Sequence, residues 1–161
     1  MKKTFTLLLF IITITARGNV SSRFSLFENE KCEYQKNYQF LTKKKKLEIE
    51  KKIDQRLSSM TIRKLDISCP GSNEKSSAFI LNDKVRTHFQ TLLIWIEKDK
   101  LKGLEVLEFH EPKKYQAPLK WINHISGKSR EKLFEVDALS GATLTRQSTL
   151  KLLKQAFYLD N

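Results

Sequence analysis

The chain has 161 residues, of which 40% are hydrophobic and 30% charged, with only five Gly and three Pro. This composition is typical of one folded domain and excludes collagen-like, disordered and polytopic membrane proteins. Thirty Lys and Arg residues against 18 Asp and Glu residues give a net charge of +12, which favours a polyanion or an anionic cofactor as a partner.

The first 18 residues have the three parts of a secretory signal peptide. Lys2 and Lys3 precede an apolar stretch from Phe5 to Ile14, and small residues follow near Gly18. This stretch is shorter than the ~20 residues that a membrane-spanning helix needs, so we expect cleavage rather than a retained anchor. Export to the periplasm or cell envelope is therefore predicted. Losing Lys2, Lys3 and Arg17 lowers the charge from +12 to +9.

Residues 19–59 are expected to hold an irregular arm followed by one amphipathic helix. Residues 19–42 show no hydrophobic periodicity, whereas apolar residues recur at roughly helical spacing from Lys43 to Leu57. The basic start of this helix lacks the interleaved aromatic residues that a stacking platform for bases needs. The pattern therefore indicates a solvated helix end and no nucleic acid partner.

Two cysteines, Cys32 and Cys69, are present in the sequence. In an oxidising compartment such a pair tends to form a disulfide, and two unpaired thiols are the alternative. Neither the cysteines nor the three scattered histidines show the spacing of metal ligands, so no metal site is predicted.

The middle of the chain predicts four strands. Met60–Cys69 and Ser77–Asn82 flank a Cys-Pro-Gly-Ser-Asn turn, which indicates a hairpin. Val85–Ile96 alternates at first and then becomes wholly apolar, as expected of the central strand of a sheet. Leu104–Phe109 follows a short turn and is expected to pair with it as a second hairpin.

The C-terminal part predicts helices and loops. A helix is expected between Pro118 and Gly127, since proline favours a helix start and glycine a helix end. Lys128–Lys132 is predicted as a loop, Phe134–Val136 as an extended segment, and Thr145–Phe157 as a longer amphipathic helix. Residues 60–161 are thus predicted to form a single small α+β domain, an antiparallel sheet with flanking helices, which acts as a monomer.

Small and hydroxylic residues cluster directly before the last helix. Residues 137–145 read Asp-Ala-Leu-Ser-Gly-Ala-Thr-Leu-Thr. The free N–H groups and the positive dipole end of a helix N-terminus favour an anion, which a nearby glycine can approach closely. A simple helix cap at Ser140 or Thr143 is the commoner use of such residues, and a phosphate site is the alternative. One glycine is too few for a P-loop, so nucleotide hydrolysis is not predicted.

The same segment resembles the flavinylation motif of the FMN-binding domain family. That family includes domains of the C subunit of the sodium-pumping NADH:quinone oxidoreductase and of the G subunit of the Rnf complex. Its motif is Asp-x-x-Ser/Thr-Gly-Ala-Thr-x-Thr/Ser, and residues 137–145 match every fixed position. A weaker resemblance extends upstream to about Val85 and so covers the C-terminal half of the chain, whereas residues before 60 show none.

The resemblance implies that a flavin transferase uses FAD to link FMN through its phosphate to a threonine. Thr143 matches the acceptor of the family, and Thr145 is the second candidate. Asp137 matches a position that contacts the transferase, either for recognition or at its catalytic metal. Arg146 is added from its charge as a further contact to the phosphate, and a solvated helix residue is the alternative. The other cofactor-binding residues that the motif implies are Ser140, Gly141, Ala142 and Leu144.

Three upstream residues, Glu111, Tyr115 and Trp121, lie on the stretch that runs near the flavin in this family. For Trp121 a place in the core is the favoured interpretation and a flavin contact the alternative, because it stands at helical spacing with apolar residues. His110 and Glu111 are adjacent on a strand and point to opposite faces, so they are assigned no catalytic role.

Three functions are compatible with these observations. The first is an exported flavoprotein with covalent FMN that transfers electrons between a membrane donor and a periplasmic or extracellular acceptor. It would be an electron carrier rather than a stand-alone catalyst. The second is a reductase module with non-covalent FMN. The third rests on charge alone and is a basic polyanion-binding protein without a cofactor.

Overall fold

The computed structural model describes residues 24–57, 59–74, 76–136 and 143–160. The expected leader therefore lies outside the described residues. None of the helices in the described part of the chain is long and apolar enough to cross a membrane.

In chain order the elements are α1 (Ser25–Asn29), β1 (Glu33–Phe40), α2 (Lys43–Ile53), β2 (Thr61–Ser68), β3 (Ser76–Val85), β4 (His88–Glu97), β5 (Lys100–Phe109), a 3-10 turn (Lys113–Tyr115), α3 (Leu119–Ile125), α4 (Arg130–Phe134) and α5 (Thr143–Asp160).

The strands form one five-stranded antiparallel sheet in the order β1-β2-β3-β4-β5. Helices α2 to α5 pack against one side of this sheet, which we call the helix face, and α1 packs on the other side, the α1 face. This architecture confirms the predicted small α+β domain with an antiparallel sheet and flanking helices.

Strand β4 supplies side chains to a core on each face. Leu92, Ile94 and Ile96 belong to the larger core on the helix face, while Leu93 and Trp95 belong to the smaller core under α1. Successive side chains of a strand point to opposite faces. Burial on both faces therefore explains why this stretch of sequence is apolar throughout rather than alternating.

The smaller core is closed by α1 and by a disulfide. The ring of Phe27 in α1 packs edge-on against Trp95, with ring centroids 5.3 Å apart. Cys32 and Cys69 form a disulfide that joins the start of β1 to the end of β2. The pairing left open by the sequence is thus formed, and it closes the loop that contains α2.

The prediction of an irregular arm over residues 19–42 is wrong for its described part. Residues 25–29 form α1 and residues 33–40 form β1, an edge strand paired with β2. Six of the eight residues of β1 are exposed. Because an exposed edge strand needs no apolar alternation, its sequence lacks the pattern by which strands are recognised.

The prediction of one strand over residues 85–96 is also wrong, as is its place at the centre of the sheet. Arg86 and Thr87 form a turn that separates β3 from β4, and β3 is the middle strand. Arg86 has a φ of 52° and no glycine or asparagine marks the turn. Lys98 and Asp99 form the next turn, with φ of 53° and 56°, so β5 begins four residues before the predicted start.

Three helices, α2, α5 and α4, differ from the prediction. Helix α2 ends at Ile53, because Asp54 takes the left-handed conformation with a φ of 53°. Helix α5 begins at Thr143, two residues early, and continues to Asp160. Helix α4 occupies residues that were predicted to be a loop and an extended segment. Its buried Leu133 is one apolar anchor, which is too little to produce a visible helical period.

We expect the disulfide to contribute substantially to stability. Replacing both cysteines by serine should lower the free energy of unfolding by about 3–4 kcal/mol, because the unfolded chain regains the entropy of an open loop of this length. Urea unfolding of the oxidised protein and of the double variant measures the difference. A reducing agent should destabilise the parent protein by a similar amount and leave the variant unchanged. Equal stability of all samples would contradict the prediction.

Candidate functional site

The start of α5 contains three of the residues predicted to bind the cofactor. Thr143 is its first residue and is exposed, Leu144 is 49% exposed, and Thr145 is only 2% exposed. The structure thus distinguishes the two candidate acceptor threonines by their accessibility. The other predicted residues of the motif, Asp137, Ser140, Gly141 and Ala142, lie outside the described residues.

The first turn of α5 is hydrogen-bonded to the 3-10 turn. The hydroxyl of Thr145 donates to the backbone carbonyl of Tyr115 at 2.6 Å. One turn later, the hydroxyl of Thr149 donates to the carbonyl of Thr145 at 2.8 Å. The Thr145 hydroxyl is therefore buried and engaged, whereas the Thr143 side chain faces solvent.

A buried polar layer joins the first half of α5 to β3 and β4. The side-chain amide of Gln90 donates to the Ser148 hydroxyl at 2.8 Å, and that hydroxyl donates to the carboxylate of Asp83 at 2.7 Å. Lys151 forms an ion pair with the same carboxylate at 2.9 Å. Hydrogen bonds are directional where apolar contacts are not, so this layer fixes the rotation and the position of α5 on the sheet.

Cationic or donor groups are carried by Arg146 in the first turn of α5, by Trp121 beside it and by Arg86, which contacts the Tyr115 ring. The guanidinium of Arg146, a buried residue, lies 5.7 Å from the centre of the Trp121 ring. The guanidinium of Arg86 lies 4.2 Å from the centre of the Tyr115 ring. The indole N–H of Trp121 is buried and has no hydrogen-bond partner among the described residues. Together with the helix N-terminus, these groups suit a phosphate or another anion.

Trp121 also belongs to the larger core, with 5% of its surface exposed. The core placement favoured by the sequence is therefore confirmed. Tyr115 presents its ring to Arg86 and its carbonyl to Thr145, so it lies between the β3–β4 turn and α5.

Glu111 secures the turn between β3 and β4. Its carboxylate accepts hydrogen bonds from the backbone N–H of Thr87 at 3.1 Å and of His88 at 3.2 Å, and also from the Thr87 hydroxyl. The bond from the Thr87 N–H is the main reason why the pKa of Glu111 lies below its usual range, with the His88 bonds adding to it against the opposing effect of desolvation. This carboxylate is a structural acceptor.

The neighbouring His110 takes no part in that arrangement. Its Nε2 lies 4.0 Å from a carboxylate oxygen of Glu108.

A groove of about 640 Å³ lies beside β5. No residue of α5 lines it, so the geometry does not connect it with Thr143. Its walls come from α1, β5, the residues that precede α3 and α3 itself, and include Leu26, Lys102, Lys113, Gln116 and Ile122.

These features define a small α+β domain with an anion-favouring helix start that bears an exposed threonine. Residues 89–158 match the family model described as FMN-binding domain. This match confirms the resemblance seen in the sequence, and residues 89–158 are similar to that family. The match supports a flavin-binding protein with FMN as its cofactor. No curated protein and no solved structure matches the chain.

The sequence interpretation missed the polar layer. It assigned no role to Ser148, Thr149 or Asp83. A signal was available, because Thr145, Ser148, Thr149 and Leu152 recur at helical spacing and place hydroxyls on the buried face. The sheet residues that bond to these hydroxyls, Gln90 and Asp83, are distant in sequence, so the helical spacing alone does not identify them.

Removing the central hydroxyl of the layer should destabilise the fold. In Ser148→Ala the Gln90 amide loses its nearest acceptor and the Asp83 carboxylate loses a donor, which should cost about 1–3 kcal/mol in free energy of unfolding. The exposed neighbour Gln147 offers a matched control, and Gln147→Ala should change stability by less than about 0.5 kcal/mol. Chemical denaturation of the three proteins makes the comparison. Similar losses in both variants would contradict the assigned role.

Glu111 should make stability depend on acid pH. Its pKa is lowered in the folded state from an ordinary value of 4.5. The stabilisation is therefore complete above the unfolded pKa and is lost as the pH falls through the folded pKa. Glu111→Gln should reduce stability at neutral pH and flatten the decline towards acid pH. Thermal unfolding from neutral to acid pH measures both slopes, and parallel curves would show that another carboxyl is responsible.

Proposed function

We propose that this protein is an exported electron carrier in which FMN is linked through its phosphate to Thr143. The observation that carries the proposal is the exposed Thr143 at the first residue of α5, in a helix that the polar layer holds against the sheet. The family match over residues 89–158 supports FMN as the group attached there.

The residues around the helix start suit the phosphate of FMN. Backbone N–H groups of the first turn of α5 and the Arg146 guanidinium would neutralise its charge. The buried indole N–H of Trp121 supplies a further donor beside Arg146. When bound, FMN supplies the electron transfer itself, one or two electrons at a time. The protein holds the group and keeps it from diffusing away.

Attachment requires a flavin transferase and FAD. The hydroxyl oxygen of Thr143 forms a bond to the phosphorus of the FMN half of FAD, the bond from that phosphorus to the bridging oxygen breaks, and AMP leaves. The hydroxyl proton is released. Asp137, which matches the recognised position of the motif, would contact the transferase. Thr145 suits this reaction poorly, because its hydroxyl is buried and donates to Tyr115.

The leader-like residues 1–18 support export, and covalent attachment suits a compartment in which lost flavin is not replaced. The redox partner would be a membrane or periplasmic protein. A charge of +9 after leader removal favours an acidic docking surface, since electrostatic attraction speeds encounter at low salt.

The proposal predicts a mass gain at Thr143. Co-expressed with a flavin transferase, the protein should gain the mass of FMN less one water, measured on the intact denatured chain. Thr143→Ala should lose the gain. Thr143→Ser preserves an acceptor hydroxyl and should retain it, and Thr145→Ala should retain it despite lower stability.

Three other outcomes of this experiment would change or overturn the proposal. Yellow protein whose flavin is released on denaturation would replace the covalent link by a non-covalent FMN site. A gain that persists in Thr143→Ala and disappears in Thr145→Ala would move the acceptor to Thr145. Colourless protein without a mass gain would overturn the proposal and favour a basic binding protein.

A further inference from the structure

Part of the α1 face of the sheet is not covered by any described helix. Tyr38 on β1 pairs with Arg63 on β2, and Arg63 pairs with Ile80 on β3. Ile80 in turn pairs with Leu93 of the smaller core, which places this row on the α1 face. We define the open surface by the part of this row outside the smaller core and by residues two or four positions along the same strands. Its members are Tyr38, Arg63, Ile80, Lys36, Phe40, Lys84 and Phe89.

The open surface exposes large aromatic side chains. Phe40 is 75% exposed, Tyr38 is 58% exposed and Phe89 is 54% exposed. Leaving three such rings in water forfeits the hydrophobic stabilisation that burial would supply. Exposure of this kind, concentrated on one part of one face, indicates contact with something outside the domain.

Cations lie beside these rings. Lys36, Arg63 and Lys84 are exposed on the same surface. From β1 to β4 the strand positions of the open surface hold no acidic residue, and Glu108 on β5 is the acid that borders it. The surface is therefore both aromatic and positively charged.

This combination favours one occupant over two others. A second copy of the chain would bring the same cations against Lys36, Arg63 and Lys84, which like-charge repulsion disfavours. A protein partner would call for a contiguous apolar centre with charges at the rim, whereas here Arg63 pairs with Tyr38 and Lys84 pairs with Phe89. Aromatic rings at the level of lipid headgroups with Lys and Arg beside anionic lipids are typical of a membrane surface contact.

One further feature of the fold agrees with this assignment. Helix α5 packs on the opposite face of the sheet. Docking through the open surface therefore leaves Thr143 accessible.

We propose that the open surface binds peripherally to membranes that contain anionic lipids, with Tyr38, Phe40 and Phe89 at the headgroup level and Lys36, Arg63 and Lys84 beside the lipid phosphates. The binding is reversible and weakens as salt screens the charges. It does not depend on the flavin.

Vesicle flotation of the purified protein without its leader tests the proposal. The probes are vesicles of phosphatidylcholine mixed with phosphatidylglycerol and vesicles of phosphatidylcholine alone, at low and at high salt. We expect flotation with the mixed vesicles at low salt, less at high salt, and little with phosphatidylcholine alone. A single-stranded oligothymidylate serves as a competing polyanion.

Two variants and a matched control localise the contact. Arg63→Glu with Lys84→Glu should weaken binding to the mixed vesicles by at least about tenfold. Phe40→Ser with Phe89→Ser should also weaken binding, and should do so at both salt concentrations. The control, Lys44→Glu with Lys51→Glu, makes the same charge change on the exposed side of α2, and should retain most of the binding. Circular dichroism checks that each variant is folded.

Several results would overturn the proposal. One is equal flotation with both kinds of vesicle, and another is no flotation at low salt. A third is an equal loss of vesicle binding in the open-surface charge variant and in the α2 control, which would show that net charge alone determines the binding. Complete displacement from vesicles by the oligothymidylate, with tighter binding to it, would instead assign the surface to single-stranded nucleic acid.

Discussion

The buried hydrogen bonds between α5 and the sheet determine where the first turn of that helix lies. Apolar contacts in its C-terminal half, such as those of Leu153 and Phe157, hold the helix against the core but tolerate small rotations and translations. The hydrogen bonds from Gln90 to Ser148 and from Ser148 to Asp83 do not tolerate such movements of the helix, because a displaced hydroxyl would leave buried polar groups without partners. The position of Thr143 follows from this constraint.

Other segments depend on the same helix start. The Thr145 hydroxyl donates to the carbonyl of Tyr115 in the 3-10 turn. The guanidinium of Arg86 in the β3–β4 turn stacks on the Tyr115 ring. Asp83 and Arg86 precede the residues that match the family model. Strand β3 and the turn after it therefore contribute to the matched part of the chain, because Asp83 anchors α5 and Arg86 contacts the Tyr115 ring.

The sequence predicted the elements whose patterns are local. The hairpin around the Cys-Pro-Gly turn, the amphipathic start of α2 and the long α5 follow from turn chemistry and helical period. The sequence did not predict the edge strand β1, the Arg86–Thr87 turn or α4, because their conformations depend on distant partners. At the site, the motif predicts Thr143 by resemblance alone. The roles of Gln90 and Asp83 could not be predicted, since both act through residues about 60 positions away.

The position of the disulfide has a consequence for redox chemistry. Cys32 and Cys69 belong to the layer under α1, whereas α5 packs on the opposite face of the sheet. The five-stranded sheet therefore lies between the disulfide and the start of α5. A redox group bound there, as proposed above, would have no direct contact with the disulfide that joins β1 to β2.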